Sequence, residues 1–189
     1  MSLPSRRMWL SVSVLSFAAG VYLLLNILAP NYVASSPVSA QVHMQHSESE
    51  IKENRLYIPS IDVNVAIVEG SSEAVLEKGA WHRQPQNGNP EKGGNFVLSA
   101  HRFQLGATPQ QTSAKSPFYH IDRLRTGDKI HVDYNQKRYT YEVTTKYKVD
   151  RFALSIEGSS QEAKMTLYTC DLRGEQAGRE VVEAKPLTQ

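Results

Sequence analysis

One uninterrupted apolar run near the start of the chain constrains the fold most. Residues 8–29 contain no charged side chain, and Ser and Asn are their polar interruptions. About 20 such residues in a helix match the thickness of a bilayer. No polar face is visible along the run, which disfavours a core helix of a soluble domain. The run therefore predicts a transmembrane helix at residues 8–29, ending at Pro30 because proline cannot continue the hydrogen-bond ladder.

The flanking charges predict the orientation of this helix. Arg6 and Arg7 precede the run directly, and no basic residue follows until Lys52. Basic residues stay on the cytoplasmic side, so residues 1–7 are predicted to be a cytoplasmic tail and everything after the helix is predicted to lie outside. A cleaved signal peptide is the alternative, since residues 38–40 (VSA) form an acceptable cleavage pattern. The run exceeds a typical signal core of about 7–15 residues, which favours an uncleaved anchor.

Composition excludes several classes of protein once the helix is set aside. The chain has 21 basic residues including Arg6 and Arg7, so 19 remain against 19 acidic residues. The net charge of +2 thus belongs to the helix flank and gives no support to a nucleic-acid partner. A single cysteine excludes an internal disulfide framework and a Cys-rich metal site. Residues 30–53 are rich in Ser, Gln and His without apolar periodicity, which predicts a flexible stalk before a folded domain at residues 54–189.

The folded domain has the pattern of a β-protein. Short runs rich in Val, Ile, Tyr and Thr, bounded by Gly, Pro, Asn and Asp, begin at Arg55. Sparse helical pattern between them favours an antiparallel barrel or sandwich over a βαβ fold. Two polar stretches, 82–94 and 103–116, predict long surface loops of the kind that often carry function. The predicted strands are 56–58, 63–68, 95–100, 129–134, 137–149, 164–170 and 179–184, and the predicted short helices are 72–78 and 117–124.

The single cysteine is the main candidate for chemistry. Cys170 ends the strand-like run 166–170 (TLYTC). A lone cysteine is often an inert buried residue, but an unpaired thiol outside the cell is a liability unless it is protected or used. A thiolate nucleophile needs a nearby base or cation, and a developing oxyanion needs a hydrogen-bond donor. His101 follows one predicted strand and Arg179 begins another, so both are candidates to lie beside Cys170.

The segment around the cysteine resembles the TLxTC signature of sortases, the membrane-anchored cysteine transpeptidases of bacterial surfaces. Three further segments are similar to the family in the right order. Residues 93–102 (GGNFVLSAHR) resemble the strand that leads into its histidine, residues 118–130 its helical turn and next strand, and residues 179–184 (REVVEA) the strand that carries its arginine. Many sortases have glycine before the histidine, where this chain has Ala100; the methyl group limits backbone freedom there.

The resemblance implies both a fold and a mechanism. The fold would be a closed, antiparallel-rich, sortase-type β-barrel of about eight strands with short helices, anchored by the N-terminal helix in a bacterial cell membrane. Cys170, as a thiolate, would attack the backbone carbonyl of an LPxTG-like sorting signal and form a thioacyl intermediate. His101 would give a proton to the leaving amine and later take one from the incoming amine. Arg179 would hold the substrate backbone or the oxyanion.

The resemblance also implies partners. Thr169, Ala100 and Leu167 would contribute to the substrate site. The substrates would be a surface protein carrying the sorting signal and an amine, either of a peptidoglycan precursor or of a pilin lysine. The chemistry needs no metal or organic cofactor, and no nucleic acid takes part. No apolar segment follows Ala184, which favours a class D/E-like enzyme over a pilin-type one.

Two other readings stay open at this point. One is a different exported cysteine peptidase, or an L,D-transpeptidase, although the latter normally has a histidine and a glycine close before its cysteine. The other is a non-catalytic, membrane-anchored β-domain in which Cys170 is a packed residue. Arg173 is also near Cys170, but it falls in a loop, and Arg179 is preferred because it begins a strand.

Overall fold

The computed structural model describes residues 6–32 and 51–187. Its first element is helix α1, Arg6–Tyr32, and the segment Leu10–Ala29 is long and apolar enough to cross a membrane. Large side chains such as Phe17 and Leu15 are exposed along it, as in a helix that buries its surface in lipid. Residues 1–5 and 33–50, with most of the predicted stalk and the signal-like cleavage pattern, lie outside the described residues.

Helix α1 passes Pro30, where the sequence predicted its end, and continues to Tyr32. Proline lacks a backbone N–H and so breaks the bond to the carbonyl four residues earlier. In the last turn of a helix this removes a single hydrogen bond, and the next residues keep a helical backbone. The expected boundary at Pro30 is therefore wrong by two residues.

The folded domain is a closed barrel, which confirms the fold predicted from the sequence. The strand order is β3-β2-β1-β6-β7-β9-β8-β5-β4, and an additional pairing of β3 with β5 closes eight of the nine strands. Two pairs among the described strands are parallel, β2–β3 and β5–β8. The strands are β1 (Arg55–Ile58), β2 (Val63–Val68), β3 (Ala80–Arg83), β4 (Gly88–Asn89), β5 (Gly93–Ser99), β6 (Lys129–Tyr134), β7 (Lys137–Val149), β8 (Lys164–Cys170) and β9 (Arg179–Pro186).

Helical structure after α1 is short. Helix α2, Pro109–Ala114, lies within the stretch expected to be a loop. The predicted helix at residues 72–78 is a 3-10 helix, Glu73–Lys78, and the one at residues 117–124 is reduced to a single 3-10 turn, Ile121–Arg123. Other 3-10 turns are Pro59–Ile61, Pro85–Asn87, Leu154–Glu157 and Glu175–Ala177.

The polar stretch 82–94 is not a plain surface loop, because β3 and β4 take up part of it. His82 is buried and both ring nitrogens have partners: Nδ1 lies 3.1 Å from a Glu69 carboxylate oxygen and Nε2 3.1 Å from the Gly88 carbonyl. A polar side chain can be buried when its hydrogen-bonding groups are satisfied in this way. Polarity alone was therefore a poor guide to exposure here.

The barrel interior is filled by alternate residues of the strands. Leu56, Phe96, Ile130 and Leu167 are fully buried in one apolar cluster that spans the barrel. Burying large apolar side chains contributes roughly 1.5–3 kcal/mol each. The side chains of this core define the inward face of each strand. The alternate residues therefore face outward, including those at the strand ends, at the rim of the barrel.

The loop between β5 and β6 is held against the end of α1. The hydroxyl of buried Thr112 on α2 donates a hydrogen bond to Oδ1 of buried Asn26 on α1, at 3.0 Å. At the start of α2, the Thr108 hydroxyl accepts a hydrogen bond from the backbone N–H of Gln111, as an N-terminal cap does. These contacts fix α2, and with it Lys115 directly after its last residue.

Candidate active site

Cys170 is the last residue of β8 and its side chain is partly exposed. Directly across the antiparallel β8–β9 pair stands Arg179, the first residue of β9. The Arg179 Nη1 atom lies 4.0 Å from the Cys170 sulfur, and Arg179 Nε donates a hydrogen bond to the Arg151 carbonyl at 3.2 Å. A fixed cation at this distance favours the thiolate form of a cysteine.

The parallel pairing of β5 with β8 brings His101 to the same end of the barrel. Ser99 stands opposite Tyr168 in this pair, so the chain reaches His101 and Cys170 two residues later on neighbouring strand ends. The Thr169 hydroxyl donates a hydrogen bond of 2.7 Å to the Ala100 carbonyl and ties the two strand ends together. Three side chains that are far apart in sequence are thus presented from one edge of the sheet.

The conformation before Arg179 depends on a glycine. Gly178 has φ of +101°, in the region that L side chains rarely adopt, and a Cβ there would lie 2.4 Å from the Val149 carbonyl oxygen. The backbone of β7 therefore packs directly against the residue that introduces β9. This close approach fixes where Arg179 enters the site.

The cysteine and its two neighbours open into a cleft of about 410 Å³. One wall carries apolar side chains from the loop after β7, of which Phe152 and Leu154 are 70% and 74% exposed. Trp81 also lines the cleft, with the guanidinium carbon of Arg83 4.1 Å from its ring centre. The cleft is lined by Glu73, Leu76, Trp81, Arg83, Ser99, Ala100, His101, Arg151, Phe152, Leu154, Tyr168, Cys170 and Arg179.

A buried acid, Glu157, binds two residues that line the cleft, Arg83 and Tyr168. Arg83 Nε donates a hydrogen bond of 3.0 Å to Glu157, and the Tyr168 hydroxyl donates to the same carboxylate. Burial, together with this hydrogen bond, raises the pKa of Tyr168. Burial by itself would raise the pKa of Glu157 as well, but the bonds from Tyr168 and Arg83 hold that pKa below its ordinary value. The Glu157 carboxylate is therefore ionised and held in place by its hydrogen bonds.

A second layer of charge lies behind the site. Arg102 follows His101 in the sequence, and Glu180 follows Arg179. Both side chains are almost fully buried, and Nη1 of Arg102 lies 3.1 Å from a carboxylate oxygen of Glu180. Since side chains alternate across a strand, the neighbours of the site residues fall on the face opposite the cleft. This pair joins the strand end of β9 to the chain beyond β5.

The residue after Cys170 joins the same layer. Asp171 is nearly fully buried, and Lys148 on β7 bridges it to Glu180 with distances of 2.9 Å and 2.8 Å from Nζ to the two carboxylates. Arg173 also donates hydrogen bonds to Asp171. Bonds from Arg173 and Lys148 hold the pKa of Asp171 well below its ordinary value. We call Arg102, Lys148, Asp171 and Glu180 the backing network.

The depressed pKa of Asp171 predicts a specific acid sensitivity. A carboxylate with a lowered folded-state pKa stabilises the fold fully above its ordinary pKa, and the contribution is lost as the pH falls through the lowered folded-state pKa. Asp171→Asn is therefore expected to lower the midpoint of chemical unfolding at pH 7 and to differ much less from the wild type at about pH 1.5. The measurement is denaturant unfolding of the full chain in mild detergent at both pH values.

Glu91→Gln is the matched control for this test, since Glu91 is an exposed carboxylate in the turn between β4 and β5. It should leave the midpoint nearly unchanged at both pH values. An equal loss for Asp171→Asn at pH 7 and about pH 1.5 would show that the ionised carboxylate is not what stabilises the fold.

The structure separates the residues proposed from the sequence into two groups. Cys170, His101, Arg179 and Ala100 line the cleft. Leu167 is fully buried in the barrel core and is not among the residues that line the cleft. Thr169 is also buried and acts on the Ala100 carbonyl, which makes it a tie between strands.

Sequence reasoning missed several residues of the site. Arg83, which lines the cleft, and Glu157, which binds it, were not predicted. Glu77 was missed too: its carboxylate oxygen lies 3.7 Å from Nε2 of His101. These partners are distant in sequence, and no local motif marks them. No group of three or more His, Cys, Asp or Glu side chains among the described residues is placed to hold a metal ion.

The fold is a β-barrel that carries a cysteine, a histidine and an arginine on adjoining strand ends. A helix that is long enough to cross a membrane precedes the barrel. The family model described as "Sortase domain" matches residues 56–187, which is more than half of the chain. The chain therefore belongs to the sortase family, whose members are cysteine transpeptidases, as the resemblance of the TLxTC segment predicted.

Individual relatives agree with this assignment. Sortase A of Listeria monocytogenes is 28% identical over 114 residues, which cover 60% of this chain and 47% of that protein. Sortase D of Bacillus subtilis is 30% identical over 116 residues, which cover 61% of this chain and 52% of that protein. The solved structure of the Listeria monocytogenes sortase A superposes with a TM-score of 0.62 at 26% identity, covering 71% of this chain and 86% of that one. The matched region spans about half the length of these two curated relatives.

Proposed function

We propose that this protein is a membrane-anchored sortase in which Cys170 is the nucleophile of a transpeptidation reaction. The observation that carries the proposal is the 4.0 Å approach of Arg179 Nη1 to the Cys170 sulfur, on two paired strand ends. A cation favours the thiolate, and its N–H groups are donors for a developing oxyanion. The cleft beside the sulfur is large enough for several residues of an extended peptide.

The proposed reaction has two halves, the acylation of Cys170 and the transfer of the acyl group to an amine. The Cys170 thiolate attacks the carbonyl carbon of the scissile bond in an LPxTG-like sorting signal, and a carbon–sulfur bond forms. As the carbon–nitrogen bond breaks, the leaving amine takes a proton from the His101 imidazolium. An incoming amine then attacks the thioester and gives a proton to His101, and the thiolate is released with a new amide bond formed. Arg179 holds the oxyanion in both halves.

The proposed partners and location follow from the same assignment. The substrate is a surface protein with an LPxTG-like signal, and the acceptor is an amine of a peptidoglycan precursor or a pilin lysine. Residues 8–29 form the anchor of a bacterial cell membrane, with residues 1–7 in the cytoplasm. Residues 30–53 form a stalk, and the catalytic domain at residues 54–189 lies outside the cell. Arg6 and Arg7 at the start of the helix support this orientation.

Incubation of the full chain in mild detergent with LPxTG-type peptides and an amine tests the proposal. We expect intact-mass spectrometry to show an acyl adduct on Cys170, and product analysis to show the peptide joined to the amine. A peptide library covers variation in the signal. Absence of both adduct and joined product across the library would leave a non-catalytic β-domain as the better description.

A further inference from the structure

A surface carboxylate lies between the histidine of the site and a lysine. Glu77, in the 3-10 helix before β3, places Oε1 3.7 Å from Nε2 of His101 and Oε2 2.7 Å from Nζ of Lys115. The side chains of His101, Lys115 and Glu77 are 26%, 36% and 42% exposed, so none of them is fully solvated. One carboxylate thus has two cationic neighbours, and one of them is a group that gains and loses a proton in the proposed reaction.

Two independent sets of contacts hold Glu77 and Lys115 close to His101. Gly79 ends the 3-10 helix with φ of +152°, and a Cβ there would lie 2.3 Å from the Ala66 carbonyl oxygen, so the helix end packs directly on β2. Lys115 follows α2, which is capped by Thr108 and held through Thr112 against α1. Glu77 and Lys115 therefore meet over His101 because of how two separate loops are fixed.

We propose that Glu77 is a positioning residue that orients His101 and favours its imidazolium form, and that Lys115 limits this effect by sharing the carboxylate. The inference rests on the proposed function, in which the His101 imidazolium gives a proton to the leaving amine. It adds to that function a pair of charged residues that influences the pH at which His101 loses its proton.

The surrounding charges are consistent with this assignment. The hydrogen bond from Lys115 lowers the pKa of Glu77, and the charges of Lys115 and His101 add to the effect, so Glu77 is ionised at neutral pH. Other charged groups line the same cleft: Arg83 is paired with Glu157, Arg179 faces the Cys170 sulfur, and Arg151 and Glu73 lie along the walls. Glu77 is the carboxylate that pairs with the imidazole.

Removing the charge of Glu77 and removing the charge of Lys115 are expected to shift the pH profile in opposite directions. Glu77→Gln removes the negative charge beside the imidazolium and should move down, by about 0.3–0.7 pH unit, the limb of the kcat/KM profile that follows the His101 titration, the range expected of a partly exposed ion pair. Lys115→Gln releases the carboxylate to act on His101 alone and should move the same limb up by a smaller amount. A loss of structure would not produce shifts of opposite sign.

The experiment uses the full chain in mild detergent and two readouts. The first is the pH profile of peptide cleavage by the wild type, Glu77→Gln and Lys115→Gln. The second is the midpoint of the His101 imidazole titration, followed by NMR with labelled histidine and assigned with His101→Gln. Glu142→Gln is the matched control, because it removes the carboxylate of another surface Lys–Glu pair, that with Lys129, and should move neither readout.

The outcomes separate this inference from the proposed function. If the wild type cleaves peptide but both variants leave the limb and the titration midpoint in place, or move them in the same direction, the role of Glu77 is wrong and the sortase function stands. If the wild type shows no cleavage while the NMR midpoint moves as expected, the charge coupling is correct and the proposed function is wrong.

Discussion

Cys170→Ala is expected to abolish the acyl adduct and to reduce transpeptidation by about 10⁴-fold or more, the scale seen when a nucleophile is removed. Without the sulfur, no carbon–sulfur bond can form, and the other side chains of the cleft offer no thiolate. The barrel should survive, because Cys170 sits at the end of β8 and outside the buried core. Intact-mass spectrometry and product analysis measure the loss of the adduct and of the joined product. Thermal unfolding measures whether the barrel remains folded.

Cys170→Ser is the matched control, because it keeps the size of the side chain and its hydrogen-bonding capacity. It should also lose the adduct, since a serine hydroxyl beside a cation is a much weaker nucleophile than a thiolate. Joined product at near wild-type rate from either variant would contradict a nucleophilic role for Cys170.

Arg179→Ala is expected to lower kcat/KM by about 10²–10³-fold, the loss typical of removing a donor to a developing oxyanion. The reason is its place opposite Cys170 in the β8–β9 pair, with Nη1 4.0 Å from the sulfur. Arg179→Lys keeps the charge but not the planar group, and should recover part of the activity. A fluorescence-quenched peptide gives kcat and KM for each variant.

Arg173→Ala is the control for this experiment, since Arg173 is also within a few residues of Cys170. Its side chain is 73% exposed and is bound to Asp171 on the backing network. Exposed ion pairs contribute little, so a change of less than about threefold is expected. The reverse pattern, a severe loss with Arg173→Ala and none with Arg179→Ala, would reassign the arginine.

The strands that the sequence predicted best are those whose ends are marked by local chemistry. β6 and β7 were placed to the residue because Asn135 and Gln136 form the turn between them, and both have positive φ. Asparagine tolerates that region better than most residues. β8 was likewise placed to the residue, because its run of β-favouring side chains follows a polar loop.

The elements that were missed depend on contacts that local pattern does not encode. β3 contains His82, and only the burial of that ring between Glu69 and Gly88 makes a polar segment part of the barrel wall. The site shows the same limit. Cys170, His101 and Arg179 were found through short motifs, while Glu77 and Lys115, which are 38 residues apart, meet only after the loops that carry them are fixed.

The parallel pair of β5 and β8 has a consequence for the timing of reactivity. Contacts between segments about 70 residues apart in the chain close late in folding, because the entropy of a long loop must be overcome first. Arg179 reaches the sulfur only when β9 has inserted between β7 and β8. Until then the thiol lacks the neighbouring Arg179 cation, and we expect it to react as an ordinary cysteine. An incompletely folded chain is therefore expected to form the proposed acyl adduct more slowly than the folded protein.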